Sequence, residues 1–295
     1  MTGQSATIPT DETHLVAAAL TALFVPGDRP NRFAKAIASG ANLVIIDLED
    51  AVAPDAKADA LRAVQAALLP GTGPTTRALV RINAAGTPTH DTEVRSLLNI
   101  AEEPGHGLRG MVLPKAEDPA VVARLAAQLT AAAGCPLALV LLVESALGVA
   151  NSLELARVPG VTRLALGAID LALDLDAEAD SAMLDYARAQ VVIACRAAGI
   201  AAPLDSPSVA ITDLHAVEQS ARTARGFGFG GKLCIHPAQL APVNAAFVPT
   251  QEQITWARSV VFAGEAAVQV DGQMIDKPGA EKARRILRRA GEASA

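Results

Sequence analysis

Apolar segments alternate with amphipathic stretches over most of the chain. The runs at 21–25 (TALFV), 42–47 (NLVIID), 78–82 (ALVRI), 110–114 (GMVLP), 137–143 (LALVLLV), 163–167 (RLALG), 201–205 (AAPLD) and 232–235 (KLCI) are near-continuous in apolar residues. That is the pattern of strands covered on both faces rather than of strands with one wet side. Between them, helical periodicity runs near 30–39, 54–69, 89–100, 118–132, 151–157, 181–198 and 208–226. The order predicts eight strand–helix units in short Gly- and Pro-punctuated succession, hence an α/β fold, a closed (β/α)8 TIM barrel. An open doubly wound sheet is the competitor. It lacks its usual signatures, since no strand is followed by GxGxxG and no GxxxxGK[ST] occurs. The glycine-rich RGFGFGG at 225–231 precedes a strand and reads as a tight turn.

The pattern changes towards the end of the chain. Residues 1–19 read as a flexible leading segment, 20–240 as the barrel domain, and 241–295 as a C-terminal helical extension. Within the extension, TQEQITWARSVVFAGEAA reads as one helix, VQVDGQMIDKPG (268–279) as a lid loop, and AEKARRILRRAG as a second helix. Two helices beyond a completed barrel have no place in its ring. They are expected to cover a barrel mouth or to cross onto a neighbouring subunit.

Composition narrows the picture further. Of 295 residues, 51% are hydrophobic but only 3% aromatic, so the core is built from Ala, Val and Leu, which suit strands wrapped by helices. No apolar run reaches the roughly 18 residues of a membrane span, and the first residues lack the basic-then-apolar order of a secretory leader. The expectation is a cytoplasmic protein without a membrane partner. A net charge of −6 argues against a nucleic-acid scaffold, while leaving room for an anionic small molecule held by a few arginines. Cys135, Cys195 and Cys234 lie far apart without metal-ligand spacing and read as buried thiols.

In such a barrel the chemistry sits at the carboxyl ends of the strands. The second strand runs LVIID and continues LED, placing Asp47, Glu49 and Asp50 at that rim. Their desolvation is tolerable only where cations, donors or water meet them. Arg81 and Asn83 close the third strand, Lys115 follows the fourth, Glu144 and Ser145 the fifth, and Asp170 the sixth. Glu144 and Asp170 come from adjacent strands and offer hard oxygens with room for water and substrate, which suits Mg2+, or Mn2+, better than Zn2+. The five histidines are scattered and form no HExxH pattern. Arg81 has two readings: a planar fork for a substrate carboxylate, or a salt bridge to Glu49 or Asp47.

Seven blocks carry a resemblance to a known family: LFVPGDRPNRFAKAIASGANLVIIDLEDAVAPDAKADA, VRINAAGTP, MVLPKAED, LLVESALGVANS, LALGAIDLALDL, GFGGKLCIHPAQL and DGQMIDKP. In that order they resemble the citrate lyase beta-subunit-like proteins of the HpcH/HpaI aldolase and citrate lyase superfamily, a group that includes malyl-CoA and citramalyl-CoA lyases. The resemblance implies a Mg2+-dependent barrel enzyme that breaks or forms a carbon–carbon bond beside a CoA or acyl-carrier thioester. It places Glu144 and Asp170 as metal carboxylates, Arg81 as a substrate-binding arginine, and Glu49 and Asp50 as support for the metal site. Asp276, in QMID, matches an acid or base that relatives supply from the C-terminal segment of an adjacent subunit. A homo-oligomer, a trimer with its lid acting in trans, is therefore expected. Arg29, Lys35 and Lys57 lie in matching blocks and are expected to meet the anionic parts of CoA, and His236 to shape the end of the eighth strand.

The expected reaction is cleavage of citramalyl-CoA or malyl-CoA to acetyl-CoA and pyruvate or glyoxylate. The alternatives are a citrate lyase beta subunit acting on a carrier-bound citryl thioester with its complex partners, a pyruvate-class aldolase, a malyl-CoA thioesterase in which Asp47 serves as a spare base, and a non-catalytic CoA-thioester binder. Three departures from relatives stand out: Leu20, Thr21 and Ala22 stand where many have a basic residue and serine, Ser145 replaces threonine, and Asp176 replaces a glycine often found after DL.

Overall fold

The computed structural model describes residues 12–71, 75–132, 136–178, 181–263, 268–270, 273–275 and 277–291. Eight parallel strands, β1 Thr21–Pro26, β2 Leu43–Asp47, β3 Ala78–Arg81, β4 Leu108–Leu113, β5 Ala138–Val143, β6 Val161–Leu166, β7 Ala201–Asp205 and β8 Gly231–Cys234, close into a barrel in sequence order. Each lies on one of the eight apolar runs. Closure comes from β1 pairing with β8 through Ala22 and Leu233.

The inner face follows the two-residue period of the strands. Leu43 and Ile45 of β2, Leu79 of β3, Val112 of β4, Ala138, Val140 and Leu142 of β5, Ala165 of β6, Leu204 of β7 and Leu233 of β8 pack together inside. The same period, carried past these residues, turns Asp47, Arg81, Glu144 and Ser206 inward at the carboxyl ends.

Residues 12–19 depart from the expected flexible segment. Glu12–Ala18 is a helix, and Val16 and Ala19 join the interior cluster. Charge pairing fixes the helix: Glu12 is ion-paired to Arg77 and lies 2.7 Å from Arg109. Arg163, at the start of β6 and 1% exposed, donates from Nη1 to the carbonyls of Val16 (3.0 Å) and Ala19 (2.7 Å) and from Nε to that of Ala202 (2.5 Å). A short polar-looking stretch thus closes the amino end of the barrel.

Other differences have local causes. The helix expected from 208 begins at Leu214, where Asp213 caps it by accepting from the Ala216 amide at 3.0 Å, and Gly228 ends it in the left-handed region. Two short helices, Ala146–Ala150 and Ala168–Asp174, follow β5 and β6 directly. Asp176 has φ +50°, a conformation that glycine adopts freely and aspartate tolerates.

The chain divides into two compact units, 1–243 and 244–295, with the division inside the helix Leu240–Phe247. In the second unit the helices Gln251–Ala263 and Lys277–Arg289 pack through Ala257, Val260, Ala280, Ala283, Ile286 and Leu287. The expected lid loop at 268–279 is instead an antiparallel hairpin, β9 Val268–Val270 and β10 Gln273–Ile275, followed by the first turn of that last helix. Among the described residues, no helix is long and apolar enough to cross a membrane.

Candidate active site

A cavity of about 550 Å3 opens at the carboxyl ends of the strands. Asp47, Asp50, Arg81, Glu144 and Asp170 line it, as the strand-end reading anticipated.

Asp47 and Arg81 form its most rigid element. Arg81 donates from Nε to Asp47 Oδ1 (2.7 Å) and from Nη2 to Oδ2 (2.6 Å). Asp47 also accepts from the amides of Glu49 (2.9 Å) and Ala51 (3.1 Å), so both its oxygens are engaged twice. Asp47 is therefore not the spare base that the thioesterase alternative requires. The salt-bridge reading of Arg81 describes this contact. It does not exhaust the guanidinium, because two of its five N–H groups are used on Asp47 and Nη1 lies 2.9 Å from Glu49 Oε2. Burial alone would disfavour the charge on Arg81, but the hydrogen bonds and charge of Asp47, with the charges of Glu49 and Asp50, together outweigh it and hold the group above its ordinary pKa. The ring of Phe24 lies under the guanidinium, 4.8 Å away. Gly27 makes room for this corner: a side chain there would meet Asp47 O at 2.8 Å.

Glu49 is buried and takes Lys115 Nζ at 2.9 Å. Burial raises its pKa, with Arg81 and Lys115 opposing. Lys115 has φ +48°, and this left-handed backbone turns its amide to Glu144 Oε1 at 2.8 Å while its side chain reaches Glu49. Further single contacts run around the rim from the β4 loop to the β7 loop. Ser145 donates to Glu117 (2.6 Å), the Ala146 amide to Asp174 (2.7 Å), and the Ala168 amide to Ser206 Oγ (3.0 Å). Ser145 thereby keeps the role open to a threonine hydroxyl.

Glu144 is 3% exposed, and its Oε2 is buried without a hydrogen-bond partner. Burial, then the charges of Glu49 and Asp170, push its pKa up to about 8. Gly167 allows this close packing, since a side chain there would meet Glu144 Oε2 at 2.5 Å. A buried carboxylate with an unmet oxygen facing a second carboxylate is a donor set that a hard divalent cation would complete. Among the described residues no group of three or more His, Cys, Asp or Glu has metal-binding geometry. The pair thus fits a cation that keeps water or substrate in its remaining positions, as Mg2+ does.

The candidates for anion contact separate. Arg29 is exposed, its nearest carboxylate Asp28 at 3.6 Å. Lys35 lines a neighbouring cavity of about 430 Å3 together with Arg32 and His236. Lys57 donates to the carbonyls of Leu48 and Glu49, both at 2.8 Å, and so braces the β2 loop. His236 caps the turn after β8 by accepting from the Ala238 amide at 3.2 Å. Cys195 and Cys234 are free and buried, and burial pushes both thiols up to about 12. Cys135 and Asp276 lie outside the described residues. Ser206 and Gly167 line the cavity and were missed; the two-residue period beyond Leu204 and Ala165 was the signal for both.

Comparison with known proteins agrees with this geometry. A "Citrate lyase subunit beta-like protein" of Mycobacterium tuberculosis is 37% identical over 282 residues, covering 92% of this chain and 96% of that protein. The "L-malyl-CoA/beta-methylmalyl-CoA lyase" of Cereibacter sphaeroides is 32% identical over 305 residues, covering 92% and 95%. The crystal structure of CitE from M. tuberculosis in complex with magnesium, acetoacetate and coenzyme A superposes with a TM-score of 0.79 at 34% identity, over 94% of this chain and 99% of that one. With residues 20–237 matching the family itself, the chain belongs to the HpcH/HpaI aldolase/citrate lyase family and is a carbon–carbon lyase.

Proposed function

We propose that the protein is a Mg2+-dependent lyase that cleaves the thioester of a 3-hydroxy carboxylic acid into a 2-oxo acid and an acetyl thioester. The unmet Oε2 of buried Glu144, beside Asp170 and in the same cavity as Arg81, carries this reading. Glu144 and Asp170 would hold the cation, which supplies a Lewis acid for the oxygens of the acid half. Arg81, locked by Asp47, presents its remaining N–H groups to the substrate's carboxylate or to the hydroxyl oxygen as it becomes a carbonyl. Lys115 and Glu49 fix the distance between these two elements. In cleavage the hydroxyl gives its proton to water and its oxygen becomes the carbonyl of the 2-oxo acid, while the bond between the carbinol carbon and the thioester's α carbon breaks and its electron pair is held as the enolate. Asp276, reaching the cavity from an adjacent subunit of a trimer, returns a proton to that carbon. Arg29 and Lys35 would meet the phosphates of CoA, while Lys57 supports the rim.

For the substrate, the citrate lyase subunit beta-like relative at 37% identity supports a citryl thioester, while the citrate lyase subunit beta of Leuconostoc mesenteroides and the malyl-CoA lyase, both at 32%, keep malyl-CoA beside it. Coenzyme A in the complex of CitE supports CoA as the carrier. Citramalyl-CoA is the second reading, favoured by one observation: Arg81 is the single cationic side chain among the described residues lining the cavity, enough for one carboxylate beyond the cation.

The test incubates purified protein with citryl-CoA, citramalyl-CoA and malyl-CoA, with Mg2+ or with EDTA, and follows acetyl-CoA and the oxo acid by mass spectrometry. Metal-dependent oxaloacetate, pyruvate or glyoxylate identifies the substrate, and three intact esters would sink the lyase reading. Mixing the inactive variants Asp276→Ala and Arg81→Ala checks the role in trans, because mixed oligomers should regain activity.

A further inference from the structure

The cavity is divided by polarity. The wall from β2 to β6 carries Asp47, Asp50, Arg81, Glu144 and Asp170, while the wall formed beyond β7, β8 and β1 carries Pro207, Leu233, Ile235, Phe24 and Pro26. In that second wall, among the described lining residues, Ser206 is the one polar side chain. It follows β7, four strands from β3 and so across the closed barrel from Arg81. It is 4% exposed, and its Oγ accepts the Ala168 amide at 3.0 Å. A serine hydroxyl has one proton to donate, and among the described residues none takes it. Ser206 is thus a fixed oxygen with an uncommitted O–H in an otherwise apolar wall.

We infer that Ser206 is a catalytic residue that donates this hydrogen bond to the thioester carbonyl oxygen of the acyl half. The inference deepens the lyase reading and rests on it for the identity of the substrate. A carboxylate has no cation to meet on this side, and an apolar wall with a single donor disfavours it. A thioester carbonyl is neutral in the ground state and needs only one donor. With the acid half drawn to the cation site and Arg81, the acyl half falls against the wall that holds Ser206. As the carbon–carbon bond breaks, its electron pair passes to the α carbon and the carbonyl oxygen gains negative charge. A donor already in place strengthens at that moment without reorganisation. Ser206 keeps its own proton throughout, and the proton on the α carbon comes from elsewhere.

The test uses Ser206→Ala and Ser206→Thr in the full-length protein, with two readouts. The first is the infrared stretch of the carbonyl in bound 13C-labelled acetyl-CoA. It should be red-shifted in the wild type, lose that shift in Ser206→Ala and regain it in Ser206→Thr. The second is steady-state cleavage of whichever thioester the wild type accepts. There Ser206→Ala should lower kcat by about a hundredfold with little change in KM or in Mg2+ affinity by calorimetry. An unchanged infrared shift in Ser206→Ala overturns the inference, as does a loss of kcat that only parallels lost Mg2+ affinity, which would mean that Ser206 merely holds the helix bearing Asp170. If the wild type cleaves no thioester, the lyase reading fails while the infrared shift still decides the donor role. Failure of wild-type protein to bind acetyl-CoA overturns both.

Discussion

The two ends of the barrel both bury charge, and they treat it in opposite ways. At the amino end Arg163 is enclosed, and burial pulls its pKa down to about 10, yet its N–H groups meet three backbone carbonyls. Glu12, on the helix whose end Arg163 holds, is shared between Arg77 and Arg109. At the carboxyl end Asp47 is as fully matched, by Arg81 and two amides, but Glu144 keeps its Oε2 without a partner while Lys115, in a left-handed backbone, gives its amide to Oε1. Matched buried charge locks a structure, whereas unmatched buried charge marks a place kept for something that arrives later.

Removing the unmatched group should separate the two ends most widely. Glu144→Gln is expected to lower cleavage by about a thousandfold, through lost cation binding. Its melting temperature should stay level, because burial already keeps this carboxyl largely protonated and glutamine replaces it with a neutral group of the same shape. A melting temperature that falls with activity would break the contrast. Arg163→Met at the other end should cost about 3 kcal/mol in urea unfolding, since three carbonyls lose their donor, with kcat per folded molecule unchanged.

Arg81→Lys tests whether the matched pair at the active end also serves substrate. Lysine cannot span both oxygens of Asp47, and kcat/KM should drop by about a hundredfold, with a smaller loss of stability. The gentlest probe is pH. With its pKa raised to about 8, Glu144 is largely protonated at neutral pH in the cation-free protein, so a cation must displace a proton to bind. Mg2+ affinity by calorimetry should therefore climb about tenfold per pH unit below that value and level off above it. A flat profile would mean that the cation meets Glu144 already ionised.

Much of this contrast was legible in the sequence, for physical reasons that differ along the chain. The strands were plain because a helix-wrapped barrel demands unbroken apolar runs, and LVIIDLED announced the rim because carboxylates directly after such a run have nowhere else to go. Arg163 was hidden by the same logic, since RLALG reads as a strand whose first residue is solvated. Residues 12–19 were hidden too, because ETHLVAA is too short and polar to suggest a core element until the barrel end that it closes is present. The short helix carrying Asp170 gives its Ala168 amide to Ser206, just beyond the next strand, and no local window contains both.

The run of single contacts from Glu117 through Ser145, Asp174 and Ala168 to Ser206 has a consequence for how this protein can change. Loops joined hand to hand in this way constrain one another's lengths, so an insertion in any one strains its neighbours and the cation site with them. On the β8 and β1 side, where the cavity is apolar, the ties run through Gln239 to the carbonyls of Ser208 and Ala210 and through the Gly27 amide to Asp47, and they do not involve the side chains of Leu233 and Ile235. New substrate preferences should therefore be acquired most readily by varying Leu233 and Ile235, with the linked arc inherited whole.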